Sequence, residues 1–451
     1  MEATGYPGFI LYLILLFGIP LALTRPFRAF LLVTFILAAA NSKAFTFTRT
    51  DLLGPYFNAH DACLLVALAG ISPYILFQIK KIQVPDITKW IIAVLLIGFV
   101  QSWFVMGGTY ETLRALRWAI NLPVYFIIAA TMVDNNKKVR YLLLALFLGS
   151  IVSAVEHIVF VRSAIEHSRF SINNVGEFRT IAYRSPGIWF LLASLVWLPK
   201  FRGIDRKLLF GAGILFAISV VLNQTRSIWI SSIAALPASF LLFKNRMKNI
   251  RTILIPLMFI VITASAMFLL PHITREIDPI NIITERLETF SDPDIRYLTT
   301  ITRISALERE IDAWSSGTLI LGRGLAYFMP LHAPNDHIAW GHLGHVTTLA
   351  QLGLVGFAIY SIYLPFTVVT ACRKLWRHNS YEIKYFGLLA GTTMIASWIC
   401  FLMSDSFLAQ HATEGIIFGA AWRQARLMGT DKEFMKQTSI LRTVLIYRAN
   451  S

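Results

Sequence analysis

A train of histidines, His332, His337, His342 and His345, falls within one polar stretch, Pro271–His345, of a chain that is otherwise a succession of apolar runs. The stretch also carries Asp, Glu and Arg, and it passes without a break into the apolar HVTTLAQLGLVGFAIY. Histidine changes charge near neutral pH, so it serves as a base or as a metal ligand. These histidines fall at intervals of five, five and three, unlike a helical His pair at i and i+4, and no cysteine joins them or Asp336, so no metal is expected. That leaves base chemistry. His342 stands where the polar stretch meets the next apolar run, eleven residues before Gly353 of Gly353-Leu-Val-Gly356. A neutral imidazole there can take a proton, and two glycines three apart on a helix allow another helix to come close.

Two arginines stand at comparable junctions. Arg184 lies in TIAYRSPGIWF, just before Ser-Pro-Gly opens an apolar run. Pro186 suits a first helical turn, so Arg184 sits at a helix N-terminus, where backbone N–H groups and the helix dipole already favour an anion. Arg226, in VLNQTRSIWISS, lies just inside a hairpin of two apolar helices with no carboxylate nearby in sequence. An arginine at that depth calls for a partner, and a diphosphate is a good one. For both, the plainer reading is an anchor that reaches lipid headgroups. Within the polar stretch, Ile304, Leu307, Ile311 and Trp314 of TRISALEREIDAW follow helical spacing. They predict an amphipathic helix across the mouth of a bundle, with Arg303, Glu308, Arg309 and Asp312 on its polar face. LILGRGLAYF then reads as a helix stop and a turn at Gly322 and Gly324, whose backbone can approach a ligand. No Walker, Rossmann or nucleophile-elbow pattern is present, which argues against ATP-driven chemistry.

The elements that must hold these groups are apolar. The 451 residues are 56% hydrophobic and 15% charged, well below the charge of a soluble protein. Long apolar runs closed by Lys or Arg predict an all-α polytopic membrane protein of about twelve transmembrane helices. Continuous rather than alternating hydrophobicity excludes a β-barrel. The runs extend from Gly8–Leu23 to Ala412–Trp422 and include Gly187–Leu198, Ile253–Leu270 and Val346–Ala371. The division expected is a helical region at 1–270, a large external loop with short helices at 271–345, closing helices at 346–422 and a basic tail at 423–451. Net charge is +16, but the basic residues gather in short loops, for example Lys137/Lys138/Arg140 and Lys200/Arg202/Arg206/Lys207, which read as cytoplasmic rather than as a nucleic-acid surface. The opposite parity places Arg184, Arg226 and the whole polar stretch on the outer face. Cys63, Cys372 and Cys400 lie in or beside apolar runs, so no disulfide framework is implied.

Taken together, these strings resemble the O-antigen ligase and O-antigen polymerase superfamily of integral-membrane glycosyltransferases, over nearly the whole chain. The family pattern is His, then Asn, Ser or Gln, nine residues and Gly-x-x-Gly. His342, Gly353 and Gly356 match it in spacing, whereas Leu343 departs from the amide or hydroxyl position, so His345 is kept as the alternative histidine. TRSIW resembles the family segment whose arginine is here Arg226, YRSPGIWF the segment whose arginine is Arg184, and LILGRGLAYF the Gly-x-Gly turn before the histidine. The resemblance implies a bacterial inner-membrane enzyme, metal-independent and without cofactor, acting on the periplasmic side. Its donor is an oligosaccharide on undecaprenyl diphosphate; its acceptor is a hydroxyl of the lipid A core or of a growing polysaccharide. Arg184 and Arg226 would hold the diphosphate and His342 would act as base, with inversion at the sugar. The polyprenyl tail would lie against membrane-embedded helices rich in aromatic residues, the chain having 33 Phe and 11 Trp. Arg303, Gly322, Gly324, Gly353 and Gly356 would support the loop. Membrane lipids are the other expected partners, and nucleic acid is not one. A transporter or flippase of lipid-linked saccharides is the alternative; it calls for charges or helix breaks near mid-membrane, where Asp61 and Glu156 are the weak candidates.

Overall fold

The structure, a computed structural model, describes residues 9–39, 57–105, 110–167, 186–197, 203–222, 226–242, 304, 307–327, 329–330, 337–338, 343–402, 408 and 411–429. They are mostly helical. Helices α1 (Phe9–Thr24), α2 (Pro26–Ala39) and α3 (Ala59–Phe77) pack on one another. α4 (Asp86–Val105), α5 (Tyr110–Ala119) and α6 (Asn121–Met132) follow. The long α7 (Asn136–His167) joins α2 to a second group, α8 (Pro186–Trp197), α9 (Gly203–Leu222) and α10 (Arg226–Leu242). Beyond a short helix, α11 (307–315), come α12 (Gly344–Phe357), a π-helical stretch (Ala358–Tyr363), α13 (Leu364–Leu375), α14 (Tyr381–Cys400) and α15 (412–429). A two-residue antiparallel pairing joins Met329–Pro330 to His337–Ile338.

Among the described residues, six helices are long and apolar enough to cross a membrane, with α12, the π stretch and α13 forming one of them, and four further apolar helices are shorter. The chain is therefore an all-α membrane protein. The run Ile253–Leu270, much of the polar stretch and residues 430–451 of the basic tail lie outside the described residues, whereas 423–429 continue α15. Outer helices leave large apolar side chains uncovered, Phe17, Phe77, Phe104 and Phe366 among them, as lipid-facing surfaces require. Among the described helices long enough to span a membrane, α14 is the most buried and α3 the least. α14 contacts α7, α8, α10 and α13.

At the start of α3 polar side chains finish the helix. Asn58 caps α3, its Oδ1 accepting from the N–H groups of His60 and Asp61, while the Asn58 N–H donates to Asp61 Oδ2 at 2.8 Å. Asp61 also lies 3.3 Å from Arg117 Nε of α5. It is a cap and an ion-pair partner at a helix end, not a mid-membrane charge. α15 comes close to α6 through Gly415 and Gly419, where a methyl group would strike the backbone of Leu122 and Phe126.

The segment containing Gly322 and Gly324 enters the bundle. Leu325 N–H donates to the Gly98 carbonyl of α4 at 3.0 Å, and Ala326 N–H to Ser102 Oγ at 2.8 Å. Gly98 lies seven residues inside the end of α4, or about 10 Å along its axis. Opposite it, α12 is broken: Gly353 has φ 64° and ψ −165°, a conformation close to glycine-only. This corrects the expectation that Gly353 and Gly356 simply thin one face of a continuous helix. The break frees two carbonyls and two amides, and the incoming segment satisfies all four. Arg323 and Gly324 N–H donate to the carbonyls of Ala350 and Gln351, both at 2.9 Å. Leu354 and Val355 N–H donate to the carbonyls of Leu319 and Ile320, at 3.1 and 3.2 Å. Irregular backbone at membrane depth is stable only when protein meets its hydrogen bonds, and here each broken helical bond has a replacement.

Candidate functional site

Arg184, Arg303 and His342 lie outside the described residues. Arg226 is the first residue of α10, as its position in the hairpin predicts. Pro186 opens α8, so Arg184 directly precedes that helix by two residues. The first turns of these two helices meet. Ile188 and Trp189 of α8, Ile228 of α10, Cys400 and Phe401 at the end of α14, and His411 and Glu414 at the start of α15 line one small cavity. Three helix N-termini thus converge, which favours negative charge there.

His411 and Glu414 are 2% and 5% exposed, with His411 Nδ1 3.3 Å from Glu414 Oε1; Thr413 donates to Glu414 Oε2 at 3.0 Å. A carboxylate beside one ring nitrogen fixes the imidazole orientation, the arrangement an acid–base histidine uses. Neither residue belongs to the motifs. The signal was a histidine and a glutamate three apart at the head of the apolar run Ala412–Trp422, since a charged side chain there needs a reason.

His345 is 7% exposed and fully engaged. Its Nε2 lies 3.0 Å from the Trp398 carbonyl, which can only accept, so Nε2 carries a proton. In the neutral ring Nδ1 then accepts from Ser361 Oγ–H at 2.7 Å. Trp398 Nε1–H donates to the Ser361 carbonyl at 2.9 Å, closing a clasp between α12, the π stretch and α14. Rings of Trp398, Phe401 and Phe357 surround the imidazole. With both nitrogens committed, His345 holds helices together. His345→Ala is expected to lower stability by about 2–4 kcal/mol, from lost packing and two lost hydrogen bonds. Thermal melting in detergent would report it, with turnover per folded molecule retained.

Neither scanning protein-family models nor searching curated proteins gives a match to this chain.

The short α11 corrects a second expectation. Ile304 and Ile311 are exposed, at 49% and 41%, whereas Glu310 is 0% exposed and Ala313 is buried beside it. The helix turns Ile311 outward and a carboxyl inward. Glu310 Oε1 accepts from Thr347 Oγ–H of α12 at 3.1 Å, and among the described residues Oε2 has no hydrogen-bond partner. Burial, partly opposed by the Thr347 bond and by Arg309, pushes its pKa up to about 7. Thr347 Oγ–H also reaches the Leu343 carbonyl at 3.1 Å, and one proton cannot serve two acceptors fully. A protonated Glu310 resolves this, donating to Thr347 Oγ while Thr347 donates to Leu343. Glu310 lies three residues after Leu307 and four before Trp314, on the apolar stripe, and that spacing could have disclosed it.

Because the native state binds this proton more tightly than the unfolded chain, stability is greatest below the usual glutamate pKa and falls as pH rises through about 7. Glu310→Gln offers Thr347 an amide N–H in place of the carboxyl O–H and removes the titration. Melting curves between pH 5 and 8 should show the wild type losing stability on that rise and the variant losing clearly less.

The turn at Gly322 and Gly324 does not offer an open cradle. Both glycines have positive φ, 73° and 104°, and both face protein: a Cβ on Gly322 would stand 2.6 Å from the Gln351 carbonyl carbon, one on Gly324 2.5 Å from Ser102 Oγ. Gln101 Nε2 and Thr318 Oγ donate to the Gly322 carbonyl at 2.7 and 2.9 Å. Arg323 is spent internally as well, on the Ala313 carbonyl at 2.8 Å and on Ser316 Oγ. The turn supports the loop by docking it, and the ligand-approach reading of its backbone falls away.

Proposed function

We propose that the chain is a membrane glycosyltransferase of the O-antigen ligase or polymerase type. It transfers a glycan from undecaprenyl diphosphate to an acceptor hydroxyl, on the lipid A core or a growing polysaccharide. The reading includes about twelve spans in a bacterial inner membrane, a large loop on the periplasmic side, and no metal or cofactor. The observation that carries it is the cavity shared by the first turns of α8 and α10, the helices that Arg184 precedes and Arg226 begins. In this mechanism the two guanidinium groups hold the departing diphosphate, so no acid is needed for the leaving group. His342 takes the proton of the acceptor hydroxyl as its oxygen attacks the sugar carbon from the opposite side, inverting it. The commitment of both His345 nitrogens favours His342 as that base.

The test is incubation of purified protein in detergent with a defined undecaprenyl-diphosphate oligosaccharide and candidate acceptors, with products read by mass. A longer or transferred glycan and free diphosphate lipid are expected; an unchanged donor with every acceptor would sink the reading. The alternative, a transporter or flippase of lipid-linked saccharides, draws on the break at Gly353, since transporters use discontinuous helices as binding sites. Against it, the four backbone groups freed there are already bound to residues 319–324. Turnover without a second compartment separates the two.

A further inference from the structure

A groove of about 690 Å3 opens at the far end of the bundle from the histidine cavity, where the starts of α7, α9 and α14 come together. Its floor is apolar, with Leu143, Leu144, Phe147 and Phe190, and Leu208 and Leu209 along one wall. Lys137, Arg140 and Tyr141 form one rim, Tyr381 and Glu382 the other. The volume is in the range of small-ligand sites.

The charges on the rim are unbalanced. Lys138 is bound to Asp134 at 2.9 Å and Lys89 to Asp86 at 2.7 Å, as exposed lysines commonly are. Among the described residues, neither Lys137 nor Arg140 has a carboxylate within ion-pair distance. Glu382 lies in the field of Arg140, but its carboxylate accepts the Ser380 hydroxyl at 2.7 Å. Lys137 and Arg140 stand three apart on α7, so they share one helix face. At the inner end of the groove the Tyr385 hydroxyl is bound to Ser194 at 2.9 Å, leaving hydrocarbon as the surface presented there.

We infer that this groove binds an anionic glycerophospholipid, with one acyl chain along Leu144, Phe147 and Phe190 and the phosphodiester between Lys137 and Arg140. A free anion would leave the apolar floor in water, and a zwitterionic lipid would bring its own cation to a rim where two cations already outnumber the one carboxylate of Glu382. The basic loops put this end on the cytoplasmic side, where anionic headgroups attract lysine and arginine beside spanning helices. The site is separate from the glycan-transfer reading and stands or falls without it.

The test titrates the full chain in detergent with phosphatidylglycerol or with phosphatidylcholine of the same acyl chains, reading retained lipid by native mass spectrometry. Phosphatidylglycerol is expected to be held at lower concentration. Lys137→Gln with Arg140→Gln should erase the preference, weakening phosphatidylglycerol by about five-fold for each cation removed. Lys80→Gln with Lys81→Gln, in another basic loop, should leave it intact, and all variants should melt like the wild type. Leu144→Trp, which fills the floor, should weaken both lipids. Equal binding of the two lipids by the wild type, a preference that survives in the Lys137/Arg140 variant, or an equal loss in the Lys80/Lys81 variant would each overturn the site. Displacement of the lipid by inorganic phosphate alone would also overturn it, because the acyl chain would then contribute nothing.

Discussion

His342→Ala is expected to abolish detectable glycan transfer, with a fall of about 10²–10⁴-fold, the usual contribution of a positioned general base. The protein should still insert and melt normally, since His345, not His342, makes the clasp with Ser361 and Trp398. Arg226→Ala and Arg184→Ala should each lose activity on a similar scale, because an uncompensated diphosphate would form at the mouth of a low-dielectric bundle. Arg226→Lys should recover part of it, having the charge without the planar fork. Initial rates on a defined polyprenyl-diphosphate donor, normalised to folded protein, measure all four. Wild-type turnover in His342→Ala would remove that histidine from the mechanism. The pair His411 and Glu414 would then be the next base to test, since it shares a cavity with the first turns of α8 and α10.

The second large effect is structural. Gly353→Ala should leave little folded protein. At φ 64° and ψ −165° any side chain is strained by about 1–3 kcal/mol. The added methyl would also strike the Ile320 carbonyl and stand 2.5 Å from the Gly322 nitrogen, so the seam must open. Opening it exposes the four exchanged backbone groups at membrane depth, each unpaired one costing about 1–3 kcal/mol. Gly211→Ala is the control: among the described residues nothing stands within 4 Å of a methyl there. Yield and melting temperature in one detergent should fall sharply for Gly353→Ala and stay at the wild-type level for Gly211→Ala.

Helices were legible where hydrophobicity alone decides them. The apolar runs recur as α1–α4 and α7–α10, and the Pro186 and Arg226 starts coincide with helix starts because proline and hairpin signals are local. The break in α12 was not legible. Gly-Leu-Val-Gly inside an apolar run reads as a packing face, and what converts it into a break is residues 319–324, some thirty positions away. For the same reason the Gly322 turn read as a ligand cradle: glycine declares a close approach but not what approaches. α11 was found, but its face was misjudged, because apolar residues turn inward in water and can turn outward here. Glu310 and the His411–Glu414 pair follow from burial of charge, which spacing hinted at and only packing reveals. Of the proposed triad, Arg226 alone lies among the described residues, as a helix start.

The exchange of backbone bonds at Gly353 constrains assembly. Residues 319–324 leave the ribosome well before 350–355, and alone their amides belong in water. They can sink to the level of Gly98 only when the second half of the spliced helix arrives to receive them. Insertion of the last spans and closure of the preceding loop are therefore a single event, so a chain truncated before residue 355 should leave that loop stranded at the surface, open to protease.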